Sequence, residues 1–479
     1  IVLLIERSST LLTAMVGVFL HQSLWITLDP SQPVSRIQDL LTQSKPDLIL
    51  ADPDLAQKLD PQKQWRWLTP SAQAEKLTLD QELGNDAYIL YTSGTTGNPK
   101  GVRVGQTSLL NFIENMASVY PQKAVLSICN PAFDAFLIES LGALLNGRTI
   151  VIANDRQALD PQALAQLIRS YGVGMISTTP SRLQAYLYNT AFRQAVKGLD
   201  CLLCGGEKFP AALLQQLQRL TPAKIYNQYG PSEATIGVSL KQLNQCRQIT
   251  AGKPMPGCQL YVLDQHQQPL PWGLTGDLYL SGVCLARGYD DNPTLTSQCF
   301  IDHPFIYGQK LYRTGDRACW TEDGEIVIAG RSDEQIKLNG WRIDPQEIAD
   351  LLCRSTPIRS AAVVRWPQFQ GLCAYYVSDE PYPEAQLRQA LADKLPPIMI
   401  PTFFIPLSEL PMTSNGKLDR KRLPQPQRSA DSVLTPQTNL QCWLLETCQT
   451  LLEQPQMQLD SDYFAMGGDS LKAMELITR

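Results

Sequence analysis

The sequence predicts an α/β protein with a large N-terminal domain of layered sheets and helices, a small mobile α+β domain and a partial helical module at the C-terminal end. Three observations predict it. From residue 1 to about 218, short β-rich runs (1–5, 48–51, 88–91, 149–152, 174–178, 199–204) alternate with helical stretches (10–20, 34–43, 107–119, 161–170, 210–218), the order of parallel βαβ layers. Gly- and Pro-punctuated strands then fill 259–328, and a compact α+β segment runs over 332–422. Finally "LPQPQRSADSVLTPQ", residues 423–437, is rich in Pro, Gln and Ser, reads as a semi-rigid linker, and is followed by helical periodicity in "LQCWLLETCQTLL".

Bulk composition bounds each element. At 479 residues the chain is too long for one core, and 44% hydrophobic with 18% charged residues argues against disorder. A net charge of −5 leaves no basic excess for a polyphosphate backbone, so nucleic acid is not expected as a partner. The 12 cysteines are scattered rather than framed for disulfides, which predicts a reducing, cytoplasmic setting. The CxxC pair Cys201 and Cys204 falls in an apolar run that reads as a buried strand, where residues three apart face opposite ways. Only three histidines occur, His21, His266 and His303, each isolated, so neither a histidine zinc site nor a histidine triad is expected. The apolar run 11–20 is too short to cross a bilayer and reads as a core helix. The opening "IVLLIERS" lacks a basic flank and a small-residue cleavage site, and the chain is expected to start partway into its first domain.

The chemistry begins at "YTSGTTGNPKG", residues 91–101. Glycines let backbone amides approach an anion, three hydroxyls add donors, and Lys100 adds a mobile charge. It is not a Walker A loop, because a proline precedes the lysine and a glycine follows it. On composition alone a polar turn would serve as well.

Further motifs follow in order: "FDAF" (133–136), "NQYGPSE" (227–233), "GDLYLSGVCLARGY" (276–289), "YRTGD" (312–316), "GRSDEQIKLNGWRIDPQEI" (330–348), "LPPIMIP" (395–401), "PMTSNGKLDR" (411–420) and "DYFAMGGDSL" (462–471). Together they resemble the adenylate-forming superfamily, and "FDAF" with "GGDSL" resembles its nonribosomal peptide synthetase branch, an adenylation domain followed by a peptidyl carrier domain. Some cyanobacterial loading modules look like this Gln-rich sequence. The resemblance implies a large adenylation subdomain over 1–331 with its front missing, a small mobile subdomain over 332–422, the linker over 423–437, and a C-terminally incomplete carrier over 438–479.

It also implies a two-step reaction and its cofactors. A carboxylate attacks the α-phosphate of MgATP and expels pyrophosphate; the acyl group then passes to the thiol of 4′-phosphopantetheine on Ser470 as a thioester. Ser93, Gly94, Thr95, Thr96, Gly97 and Lys100 would hold the departing phosphates, and Glu233 the Mg²⁺, a hard cation suited to carboxylate oxygen. Asn227, Tyr229 and Gly230 would sit at adenine, with Asp316 and Arg331 at the ribose. Lys417 would be the catalytic cation, preorganised where negative charge accumulates. Asp333 would be the hinge of the mobile subdomain, and Gly340 would line the pantetheine tunnel.

The acid pocket carries over onto Phe133, Asp134, Ala135, Ile138, Ser177, Leu203, Gly205, Gln228, Ile236 and Gly237. Asp134 would pair with an α-ammonium. Apolar walls, and the depth left by two glycines, suit a large flat group such as phenylalanine or a related aryl acid, with a leucine-like aliphatic second. Expected partners are that acid, a phosphopantetheinyl transferase and neighbouring synthetase modules, and no membrane. An acyl-CoA synthetase, or a non-catalytic scaffold of the same fold, are the alternatives. The first would lack "GGDSL", and the second would be expected to lose Lys417, Glu233 or Asp316.

Overall fold

The structure is a computed structural model that describes all residues except 61–63, 70–84, 94–98, 334, 339, 367–370, 381, 413–417, 427–437, 456, 460, 462, 464–465, 467, 469–471, 474–475 and 477–479. It divides into two compact units. One comprises Ile1–Ser31, Ile37–Thr92 and Lys100–Glu334; the other comprises Gln32–Arg36, Ser93–Pro99 and Gln335–Arg479.

Three sheets build the first unit. One has seven strands in the order Gly288–Tyr289, Lys100–Gly105, Asp86–Thr92, Trp25–Thr27, Val2–Leu4, Ile49–Ala51, Trp67–Leu68. A second runs Lys253–Pro254, Ser239–Gln242, Lys224–Tyr229, Cys201–Gly205, Val173–Thr178, Ala124–Ser127, Ile150–Ile152. Its last five strands are mutually parallel, as helical crossovers require, and the first two close it antiparallel. The third gathers Cys258–Leu263, Gly276–Gly282, Lys310–Trp320, Phe300–Asp302 and Ile326–Arg331, the punctuated strands of the sequence. Side chains from all three meet in one core, among them Leu3, Tyr88, Val125, Leu203, Leu260 and Leu278.

Local signals set the helices. Ser8 caps the helix Ser9–Leu20 by accepting from the Leu11 amide, and Leu11, Met15 and Val18 bury at helical spacing. No helix among the described residues is long and apolar enough to cross a membrane. Asp160 caps Pro161–Ser170, where proline takes the first position, whose amide would have no partner. The strand Cys201–Gly205 buries both Cys201 and Cys204, and burial pushes both thiols up, the wrong direction for a metal ligand or redox pair.

The second unit holds the hairpin Ile336–Leu338 and Trp341–Ile343, turned at Gly340 with φ +83°, and a three-stranded sheet Ser360–Arg365, Leu372–Val377, Phe403–Pro406. The helices Pro345–Ser355 and Glu384–Ala392 contribute Ile348, Leu352, Leu387 and Leu391 to its core. Further on, a capping box between Thr438 and Gln441 starts the helix Asn439–Leu452, which packs Cys448, Leu451 and Leu452 on Met457 and Met466.

The segment expected to be the linker, 423–437, begins with packed residues. Leu423 is buried with Val364, Cys373 and Tyr375, and the Tyr375 hydroxyl donates to the Pro424 carbonyl at 2.6 Å. The Leu-Pro start is therefore part of the small subdomain, because an apolar residue with a partner packs rather than spans; residues 427–437 lie outside the described residues.

Candidate active site

Three of the expected nucleotide residues meet at the end of the third sheet. Asp316 on Lys310–Trp320 is buried and pairs in register with Arg331 on Ile326–Arg331. Arg331 Nη1 donates to Asp316 Oδ1 at 2.8 Å, and the Tyr229 hydroxyl donates to Oδ2 at 2.5 Å. Burial first, and the Asp316 charge second, hold the Tyr229 phenol well above its ordinary range, so it remains a donor. Arg331 also grips Asp333 in a two-pronged pair, both contacts at 2.6 Å. Gly315, with φ +75°, makes room for this: a Cβ there would come within 2.5 Å of the Asp333 carboxylate.

A second cluster surrounds Glu233. The 3-10 turn Ser232–Ala234 places its carboxylate fully out of solvent. Lys100 Nζ lies 3.0 Å from Oε1, the Tyr289 hydroxyl donates to the same oxygen at 2.8 Å, and Lys100 also reaches that hydroxyl at 3.1 Å. Desolvating a lysine and a glutamate is costly unless they pair and are hydrogen-bonded, as here. Tyr289 was not foreseen. It ends the quoted "CLARGY" run, but an aromatic there reads as core until its hydroxyl is placed.

Glu233 fits Mg²⁺. Among the described residues no group of three His, Cys, Asp or Glu side chains gathers to cage a metal, and Mg²⁺ characteristically takes one or two carboxylates, with phosphates and waters supplying the rest. Asn227 is buried and donates to the Thr250 carbonyl at 2.7 Å. Ser93 is buried just beyond Asp86–Thr92, while Gly94, Thr95, Thr96 and Gly97 lie outside the described residues. So do Lys417 and Ser470. Leu418, which follows the first, forms an antiparallel bridge with Met412. Near the second, Gly468 donates to the Tyr463 carbonyl at 2.9 Å, and a Cβ on Gly468 would sit 2.3 Å from the Tyr463 ring.

Four of the residues expected to line the acid pocket come together on the second sheet. Register pairs Ser177 with Leu203 and Gly205 with Gln228, and strand alternation puts all four on one face. Ile138 and Ile236 are buried in the same core cluster as Leu203, and Ala135 packs against it. Ile236 carries φ +70° and Thr235 φ +57°, strained values for β-branched residues of the kind that concentrate at functional sites. The expected depth is corrected at one glycine. A Cβ on Gly237 would lie 2.7 Å from the Gln228 amide, so the polar Gln228 side chain fills the space that this glycine leaves. Gly230 approaches even closer, its Cβ position 2.5 Å from the Gly237 Cα.

The layered fold, the buried carboxylate–lysine pair and the Tyr229–Asp316–Arg331 cluster define an adenylate-forming ligase. The chain belongs to the AMP-binding enzyme family, in the adenylation–carrier arrangement of nonribosomal peptide synthetases: residues 1–290 match AMP-binding enzyme, 347–417 the AMP-binding enzyme C-terminal domain, and 442–479 the phosphopantetheine attachment site. That family uses ATP and Mg²⁺, and its carriers bear 4′-phosphopantetheine on a serine. The chain is similar to the dimodular nonribosomal peptide synthase of Bacillus subtilis (strain 168), 36% identical over 506 residues, covering 100% of this chain and 21% of that protein. It is 34% identical over 504 residues to enterobactin synthase component F of Escherichia coli (strain K12), covering 98% of this chain and 39% of that protein. It thus spans well under half the length of either relative. Among solved structures it is similar to a holo nonribosomal peptide synthetase protein containing adenylation and PCP domains bound to a vinylsulfonamide inhibitor, at TM-score 0.82 and 27% identity, covering 100% of this chain and 82% of that one.

Proposed function

We propose that the chain activates a large hydrophobic, aromatic amino acid or related aryl acid as its acyl-adenylate and passes the acyl group to its own carrier segment, within a nonribosomal peptide or hybrid polyketide assembly. A carboxylate oxygen forms the new bond to the α-phosphorus as the bond to pyrophosphate breaks. The buried pairing of Lys100 with Glu233 carries this reading, because it holds one charge of each sign out of solvent on two residues expected to handle the departing phosphates and their Mg²⁺. Glu233 would hold Mg²⁺, which when bound would neutralise phosphate negative charge. Asp316, an acceptor through two oxygens, would orient the ribose hydroxyls, with Arg331 fixing its plane. Lys417 would bring the catalytic charge, with Asp333 as hinge for the subdomain that carries it and Gly340 at the thioester tunnel. Ser470 would bear 4′-phosphopantetheine, whose thiol would take the acyl group as a thioester while the acyl bond to AMP breaks and AMP leaves.

For the acid, the half-buried Asp134 favours an α-ammonium, and Ile138, Leu203 and Ile236 supply apolar walls. A phosphopantetheinyl transferase and neighbouring modules would be partners. Twelve free cysteines support a cytoplasmic setting. The test is ATP–pyrophosphate exchange over a panel of amino acids and aryl acids, followed by loading of phosphopantetheinylated protein. Exchange that is fastest with aromatic acids, and loading, are expected. No exchange with any acid sinks the proposal, and exchange without loading would favour the acyl-CoA synthetase reading.

A further inference from the structure

Two peptide units lead from the second sheet into the acid pocket. The strand Ala124–Ser127 ends, and Ile128 and Cys129 carry the chain toward Asn130 and then to Phe133, Asp134 and Ala135. Having left the strand, these residues have their backbone groups taken up by side chains. Both amides, of Ile128 and of Cys129, donate to one oxygen of Glu139, each at 2.7 Å. The Ile128 carbonyl accepts from Arg182 Nη1 at 3.2 Å, and the Cys129 carbonyl accepts from Arg7 Nη1 at 2.8 Å.

The clamps are themselves fixed. Arg7 also donates to the Ala153 carbonyl and to Asp155, both at 2.7 Å, and Arg182 to the Ala158 carbonyl at 2.9 Å. Glu139 sits in the π-helical turn Ile138–Gly142, fully buried, and its second oxygen has no hydrogen-bond partner among the described residues. A buried carboxylate half satisfied costs free energy, so its presence needs a return elsewhere. Its position supplies one. Glu139 lies just past the far end of the segment whose beginning it binds. It therefore closes residues 128–139 into a loop, and Phe133, Asp134, Ala135 and Ile138 all lie inside that loop. Asn130 braces the interior, its side chain accepting from the Ala132 amide at 2.9 Å and donating to Asp29 at 2.5 Å.

We propose that Glu139, with Arg7 and Arg182, is the positioning residue for the acid-binding loop: it sets the place of Asp134 without touching the acid. This rests on the adenylation reading above. The titratable and charged groups facing Glu139 are Arg7, Arg182, Cys129, Tyr120 and Tyr186. Burial pushes its carboxyl up to about 7, against the pull of the two amides and the two arginines.

The test uses the full chain, with two readouts: separate KM values for acid and ATP in pyrophosphate exchange, and hydrogen–deuterium exchange of the Ile128 and Cys129 amides. Glu139→Leu removes the acceptor. It should raise the acid KM about tenfold or more, leave the ATP KM near its original value, and speed exchange at those two amides, as expected when buried donors lose their partner. Glu139→Gln, which keeps an acceptor oxygen, should restore most of the acid KM and the amide protection. Arg7→Lys, which keeps the charge but not the fork, should shift the acid KM in the same direction if the leucine variant fails to fold. An unchanged acid KM with unchanged amide exchange overturns the proposal, as do acid and ATP KM values that rise together. If the unaltered chain shows no exchange with any acid, the adenylation reading falls, and amide protection alone still decides whether Glu139 closes the loop.

Discussion

The Tyr229 hydroxyl donates to Asp316 Oδ2 at 2.5 Å while Arg331 holds the other oxygen at 2.8 Å, so one carboxylate is aimed by donors from two different sheets. Arg331 makes this arrangement with a planar fork that also spans Asp333. A lysine offers a single point charge and cannot serve both acids in that geometry. Arg331→Lys should therefore lose about 1.5–3 kcal/mol of interaction, roughly 10–100-fold in kcat/KM for ATP. Tyr229→Phe keeps the ring and should cost far less. Equal losses in the two variants, measured by pyrophosphate exchange at varied ATP, would show that Arg331 acts only as a charge.

Lys100 and Glu233 are buried together, with side-chain exposures of 12% and 0%. Glu233→Gln leaves the ammonium without its counter-charge, and a broken buried pair costs about 3–5 kcal/mol. The melting temperature should fall accordingly. If Glu233 also holds Mg²⁺, the concentration of Mg²⁺ giving half-maximal exchange should rise in the same variant. A lower melting point with an unaltered Mg²⁺ requirement would assign Glu233 to stability alone.

Lys417 and Ser470 should separate the two half-reactions. Lys417→Ala should lose adenylation by about 10²–10³, the usual cost of one preorganised donor, yet still form thioester from preformed adenylate. Ser470→Ala should adenylate normally and form no thioester. Radiolabelled acid in single-turnover assays distinguishes them, and normal adenylation by Lys417→Ala would remove that residue from its role.

Sequence reasoning reached the elements whose signals are local. The run 161–170 is bounded by Asp160 and its following proline, and the helix lies at Pro161–Ser170. The register of Ser177 against Leu203 was not legible, because a sequence pattern fixes which residues alternate but not how neighbouring strands slide. Only the paired strands put those residues on one face. Tyr289 and Arg7 were missed for a related reason. Each acts through contacts with residues more than a hundred positions away, Lys100 and Cys129 respectively, which no local pattern discloses. Gln228 was named as a pocket residue, but that its side chain fills the room left by Gly237 is a matter of packing, which composition does not encode.

That packing makes a prediction about specificity. Gln228→Ala should open the space over Gly237 and admit bulkier aryl acids, with the acid KM falling for those and rising for the preferred one. Asp134→Val should act on the other end of the acid. It removes the charge facing an α-ammonium, so exchange should shift from the amino acid toward its desamino analogue by about 10–100-fold, the scale of a charged hydrogen bond. No change in that ratio would mean the preferred acid carries no α-amino group.

Glu139 predicts a pH dependence of stability whose sign can be worked out. Its carboxyl ionises at about 7 in the folded chain, against 4.5 as its ordinary value, because burial disfavours the charge more than the two amides and the two arginines favour it. Between those values the folded chain holds a proton there that the unfolded chain has released. Stability from this group is therefore full below about 4.5 and is lost as pH rises toward 7. Glu139→Gln cannot ionise and should lack that loss. Thermal melts of the two proteins across this range should diverge, with the glutamine variant gaining relative stability as pH rises, while every other carboxylate contributes equally to both. Parallel melting curves would mean that Glu139 stays charged throughout. The amides of Ile128 and Cys129 would then be held by a full carboxylate rather than by a protonated one.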